Sequence, residues 1–272
     1  MGKIKYTFLL LLFMLVSGLS IFYASTTPSN TLNWEDELQL LVAPTVDGDI
    51  ISFVNLRNST YDENGRVALQ YFNQSYNASD IIGLWMFVQP FGAWDKVAHT
   101  MISFEFSNGT FLQLSIEVRK EIGEEYDALV GIFNQFETIY LWGDEHDFIT
   151  RRMEWLGDPI RMYEVEASEE FMKGFFYSLV EDTQSLQTQP AFYNTWTSSC
   201  TSAFVSHIRK VDPKLLDWWE HEFHFPGVVD RLFLQKGFIG DGESYEELKD
   251  IYTLYPADVN MSYSDFSLNL RK

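Results

Sequence analysis

Two short runs of alternation dominate the middle of the chain. In Ala98–Phe106 the apolar positions are Ile102, Phe104 and Phe106, and in Thr110–Val118 they are Leu112, Leu114, Ile116 and Val118. This period of two belongs to strands with one apolar face. Ser107, Asn108 and Gly109 separate them. A two-residue connection would set even-numbered residues opposite odd ones and mix the faces. A three-residue loop with Gly109 in the left-handed conformation sets Phe106 opposite Thr110 and keeps the apolar face continuous. The same register predicts Met101 opposite Ser115, Ser103 opposite Gln113, Glu105 opposite Phe111 and His99 opposite Glu117. The odd-numbered face is then polar and carries an imidazole and a carboxylate at cross-strand distance. A solvated outer face is an equal reading of this pattern.

Other elements follow from the same patterning. Val46 to Leu56 reads as a turn running into a β-branched strand, and Ile81 to Pro90 as a second interior strand, with an Asn-rich loop between them. A charged turn covers Arg119–Tyr126, and a further strand spans Phe136–Trp142. Gly143-Asp144-Glu145-His146-Asp147 is too tightly spaced for one metal ion to use all its side chains, so Asp144 or Glu145 is read as the cap of a helix entering at Phe148. Arg161–Val165 is a strand, and Ser168 opens a helix with Glu169 and Glu170 in its first turn, continuing through Val180. His221 and His224 are three apart, whereas a zincin site needs four with a glutamate between, so they are assigned to aromatic packing. The expected fold is α+β, an antiparallel sheet packed against helices, in one domain over residues 34–272.

The single cysteine stands where another helix begins. Ala203, Phe204, His207, Ile208 and Val211 have helical spacing, and Thr197, Ser198 and Ser199 are all good N-caps. Cys200 therefore falls in the first turn, where unpaired N–H groups and the helix dipole favour thiolate over thiol. A lone cysteine is more commonly a small buried hydrophobe. With His99 and Glu117 it completes a set suited to acyl transfer: Cys200 as nucleophile, His99 as proton carrier, Glu117 holding the imidazole in the needed tautomer. The Cys200 N–H, with Asn194 and Tyr193 as oxyanion or positioning candidates, would stabilise developing charge. His207 is two turns along the same helix, about 10 Å away, too far to act as base.

Composition narrows the function classes. The formal charge of -20, from 39 acidic against 19 basic residues, argues against a nucleic-acid surface. One cysteine excludes an internal disulfide. At the N-terminus a short lead carrying Lys3 and Lys5 precedes an apolar run from Phe8 to Tyr23. Residues 1–24 are read as a signal peptide or, preferably, an uncleaved membrane anchor with the rest of the chain outside, and residues 25–33 as a polar linker. No cofactor or metal is expected.

Ala98–Phe106, Leu114–Arg119, Gly143–Asp147, Pro190–Asn194 and Cys200-Thr201 together resemble the Lnb N-terminal periplasmic domain family of bacteria, from about Trp34 to Arg271. The resemblance implies a circularly permuted papain-like fold of the NlpC and lecithin-retinol acyltransferase type, with the histidine strand before the cysteine helix. It implies lipoprotein N-acyltransfer in the cell envelope, with a phospholipid as acyl donor and the α-amine of a lipoprotein's N-terminal cysteine as acceptor. The family usually has Asn before the cysteine, where this chain has Ser199. Two other readings fit the same residues: a cysteine hydrolase of peptidoglycan or lipid, and a non-catalytic envelope binding protein.

Overall fold

The structure, a computed structural model, describes residues 26–91, 97–217, 220–259 and 265–271, with isolated positions between 6 and 18. The expected signal peptide or anchor lies largely outside the described residues; among those described, no helix is long and apolar enough to cross a membrane. The strands are β1 (Ala43–Asp47), β2 (Ile50–Arg57), β3 (Thr60–Asp62), β4 (Gly65–Ala68), β5 (Tyr71–Asn77), β6 (Ile81–Pro90), β7 (Ala98–Phe106), β8 (Phe111–Arg119), β9 (Phe136–Gly143), β10 (Ile160–Glu164), β11 (Phe192–Tyr193) and β12 (Thr253–Leu254). The helices are α1 (Glu145–Thr150), α2 (Glu169–Leu186), α3 (Cys200–Val211), α4 (Val229–Gln235), α5 (Tyr245–Tyr252) and α6 (Phe266–Asn269).

Ten strands form one mostly antiparallel sheet in the order β1-β2-β9-β8-β7-β6-β10-β12, with β5 added to β2 and β11 to β9. β3 and β4 make a separate hairpin. The register of β7 on β8 is the expected one: Met101 faces Ser115, Ser103 faces Gln113 and Glu105 faces Phe111. The Phe106 N–H donates to the Thr110 carbonyl at 2.9 Å, and Gly109 takes the left-handed conformation at φ 79°. The Asn-rich stretch departs from expectation. Tyr71–Asn77 is a strand paired along β2, because Ser52, Ser75 and their neighbours complete a ladder with alternating partners.

The solvated-face reading is overturned. On the even-numbered side Ile102, Phe104, Phe106, Leu112, Leu114 and Ile116 join a core with α2 and α3, where Phe104 meets Phe176 edge-on at 4.9 Å. Each such ring contributes about 1.5–3 kcal/mol by burial. The odd-numbered side is covered too. Met101, Ile139 and Leu141 pack against Leu38, Phe148, Ile149, Met153 and Phe266, so Ser103, Gln113 and Ser115 are fully buried. This second layer is assembled from three distant stretches of chain, and the alternation within one hairpin carries no record of them.

The second layer is fixed by a buried ion pair. Asp144 caps α1, accepting from the His146 N–H at 2.8 Å, as expected for this acidic cluster. Asp147 accepts from Arg57 Nε at 3.1 Å and from the Ser59 N–H at 2.6 Å. Gly143 permits the single parallel contact of β9 with Arg57, since a Cβ there would fall on the Arg57 backbone. The Arg57–Asp147 pair thus ties α1, and the π-helical turn Arg151–Trp155 that continues it, to the end of β2. Residues 29–33, expected as linker, lie against the sheet: the Ser29 N–H donates to Glu137 at 3.0 Å and the Asn30 amide to the Leu186 carbonyl at 2.8 Å. α2 begins at its expected cap, Ser168, and runs on to Leu186.

Asp147→Ala leaves the buried Arg57 guanidinium unpaired and is expected to cost about 3–5 kcal/mol in a denaturant melt. A loss under about 1 kcal/mol would mean that the pair does not anchor α1.

Candidate active site

The sheet and α3 bring Cys200, His99 and Glu117 together. His99 is the second residue of β7, Glu117 the seventh of β8, and the hairpin register carried two residues beyond Met101 sets them opposite each other. His99 Nε2 lies 3.2 Å from Glu117 Oε1. Cys200 opens α3, whose cap is Ser199: the Ser199 hydroxyl accepts from the Ser202 N–H, while the Ser202 hydroxyl accepts from the Ser199 N–H at 2.7 Å. This capping box satisfies backbone donors at the start of α3. Thr100 and Thr201, the neighbours of His99 and Cys200, are joined through their hydroxyls at 2.8 Å and fix α3 on β7.

Two residues that sequence reasoning missed complete the array. The Ser115 hydroxyl donates to Glu117 Oε1 at 2.6 Å, and its oxygen lies 2.6 Å from His99 Nε2. With the Ser115 proton on the carboxylate, Nε2–H must donate to Ser115, which leaves Nδ1 for the cysteine. Ser115 was accessible to the register as the diagonal neighbour of His99. Arg152, on the π-helical turn, donates to Glu117 Oε1 at 2.7 Å and to the Phe148 carbonyl at 3.0 Å. No local signal marks Arg152, because its approach depends on the second layer.

The electrostatics favour a charged pair. Burial opposes protonation of His99, yet the charges of Glu117 and Cys200, with hydrogen bonds to both, raise its pKa from 6.5 to about 9. Burial, the largest single influence, pushes the Cys200 thiol up, but the His99 charge and the hydrogen bonds from His99, the Thr100 backbone and Thr201 together outweigh it, and the thiol is lowered. Burial likewise opposes ionisation of Glu117, and His99 and Arg152 hold it well below the usual carboxylate range. The signs are opposite for the two reacting groups. The charged form of His99 stabilises the fold fully below 6.5 and is lost as pH rises through about 9. The thiolate of Cys200 stabilises it above 9.0, and that contribution is lost as pH falls through the lowered value.

Cys200 is only 4% exposed but lines a cleft of about 530 Å³ whose walls are mainly apolar. Tyr193, Tyr126, Trp196 and Phe225 contribute to that wall. Burial and the nearby Cys200 charge keep the Tyr193 hydroxyl protonated, and it is hydrogen-bonded to Tyr126. Tyr193 therefore lines the cleft that holds Cys200. The Asn194 side chain is engaged in the turn before α3. Its amide nitrogen donates to the Ile132 carbonyl at 2.8 Å and to Asn134 Oδ1 at 3.2 Å, and its oxygen accepts from the Trp196 and Thr197 N–H groups at 3.0 Å. The turn leading to α3 consumes this side chain, so it has nothing left for an oxyanion. His207 is held elsewhere, by Ser178 at 2.7 Å and Asp182 at 3.1 Å. His224 stacks on Trp196, ring centroids 4.4 Å apart, and this aromatic packing forms part of the cleft wall.

The chain matches the family described as the Lnb N-terminal periplasmic domain over residues 68–233, more than half its length and including Cys200, His99, Glu117, Ser115 and Arg152. The chain belongs to the Lnb N-terminal periplasmic domain family. The match is shorter at both ends than the resemblance in the motifs, starting in β4 and ending in α4. Membership assigns an Lnb-like envelope protein on the extracytoplasmic side. No curated protein and no solved structure matches the chain.

Alkylation of Cys200 by iodoacetamide is expected to fall between pH 9 and pH 6.5 by much less than the roughly tenfold per unit of an ordinary thiol. His99→Ala is expected to restore the steep fall. Parallel profiles for the two proteins would dissolve the pairing.

Proposed function

We propose that this Lnb-family chain is a cysteine acyltransferase that carries a fatty acyl group as a thioester on Cys200, passing it from a phospholipid to the α-amine of a lipoprotein's N-terminal cysteine. The observation that carries this reading is the His99 ring held between a lowered thiol and a Ser115–Glu117–Arg152 array. A histidine strand followed by a cysteine helix is also the order of a circularly permuted papain-like site, which supports that kinship for the fold.

In the first half-reaction the thiolate attacks the ester carbonyl carbon, forming the C–S bond as the carbonyl electron pair moves onto oxygen. The Cys200 N–H, in the first turn of α3 where backbone donors lack helical partners, is the oxyanion donor. Tyr193 adds a protonated hydroxyl in the same wall. As the intermediate collapses, the C–O bond breaks and His99 gives its Nδ1 proton to the leaving lysophospholipid oxygen. In the second half-reaction the amine attacks the thioester and neutral His99 takes one proton from it. The C–S bond breaks, leaving an amide with thiolate and imidazolium restored. Arg152 keeps Glu117 ionised through both halves, so the ring stays oriented while its charge alternates. Water in place of the amine would make the same site a hydrolase.

In a bacterial strain lacking lipoprotein N-acylation, the expressed protein is expected to add one acyl chain to N-terminal lipopeptides by mass, and Cys200→Ala to add none. Free fatty acid with unmodified lipopeptide would replace the transferase with the hydrolase, and no product of either kind would remove the enzymatic reading.

A further inference from the structure

The segment 122–133, which contributes Tyr126 and Ala128 to the wall of the Cys200 cleft, exposes several large apolar side chains. Between β8 and β9 the chain turns through a 3-10 segment, Val130–Phe133, in which only Gly131 is buried. Leu129 is 72% exposed and Ile122 64%, and Val130 and Phe133 are exposed beside them. The segment continues into the cleft wall: the Thr195 N–H donates to the Gly131 carbonyl at 3.2 Å, and the Tyr126 and Thr195 hydroxyls are 3.1 Å apart. Trp196, 49% exposed, then reaches the cleft that holds Cys200. Several large exposed apolar side chains in one segment that flanks a site mark a candidate interaction surface.

Two further observations indicate what covers it. The N-terminal chain joins the domain at this same edge, since the Ile122 N–H donates to the Asn33 carbonyl at 2.9 Å and Trp34 bridges Glu121. The apolar run ends at Tyr23, six residues before the docked Ser29, so its end lies within about 20 Å of that point. The charges beside the patch are mostly acidic, with Glu121, Glu124, Glu125 and Asp127 against Lys120, and Lys120 is already paired to Glu35. An anionic surface would be repelled. Exposed Tyr126 and Trp196 are residue types that favour the boundary between water and lipid.

We infer that the Ile122–Phe133 segment and Trp196 form the face by which the domain rests on a neutral phospholipid bilayer, with the Cys200 cleft opening toward the lipid. This deepens the acyltransferase reading, on which it rests for its purpose, by naming the surface through which a lipid-borne acyl donor enters. The apolar side chains enter the interface and exchange water for hydrocarbon, while the acidic turn stays among the headgroups.

The test uses the full chain with Cys200→Ser, reconstituted in phosphatidylcholine vesicles, and needs no catalysis. A polarity-sensitive fluorophore is attached through Leu129→Cys, Phe133→Cys or, on an exposed residue of α5 at the far sheet edge, Ile251→Cys. Emission from 129 and 133 is expected to shift to the blue and to be quenched by lipids brominated in their acyl chains, with 251 unchanged. Adding phosphatidylglycerol is expected to leave or weaken the effect. Quenching at none of the three sites, at all three equally, or only with phosphatidylglycerol present would overturn the proposal. A bilayer face found without acyl transfer would leave this inference standing while the enzymatic one failed.

Discussion

The site depends on one half-buried carboxylate. Glu117 receives the Ser115 hydroxyl, the Arg152 guanidinium and the His99 ring at 2.6, 2.7 and 3.2 Å. An ionised carboxylate partly withdrawn from bulk water is stabilised by such a full set of partners. Its charge in turn makes a protonated imidazole tolerable beside a buried thiol. Remove the carboxylate and burial would drive both His99 and Cys200 toward their neutral forms.

That constraint explains why the sheet is sandwiched. A solvated odd-numbered face would have let water screen His99 from Glu117, and surface ion pairs are worth little. The covering layer raises the strength of the array by excluding water and delivers Arg152 to it. The layer is itself held by Arg57–Asp147 and by the Asp144 cap, so a pair remote from the sulfur bears on the ionisation of the site. On the other face, the aromatic core around Phe104, Trp142 and Phe176 supports α3 and hence the depth at which Cys200 sits.

Much of this was legible where the determinants are local. The Ser107-Asn108-Gly109 loop and the alternation on either side fix the register of β7 and β8, and with it the meeting of His99 and Glu117. The capping residues before Cys200 and Asp144's place before α1 are likewise written in adjacent positions. What escaped depends on contacts between distant stretches. The burial of Ser115 and the approach of Arg152 require α1, residues 36–41 and α6 to converge on one face. β5 was hidden because its polar residues lie in a ladder on β2 rather than in a loop. Asn194 failed as an oxyanion candidate because its amide closes the turn into α3, a local use that competes with any role in the cleft.

The central claim is a thiolate–imidazolium pair in the resting protein. Nitrogen NMR of His99 across pH, read beside Cys200→Ala, measures it directly. A titration midpoint near 9 is expected in the native chain, falling when the sulfur is removed but staying above 6.5 because Glu117 remains. A midpoint at or below 6.5 in both proteins would contradict the pair.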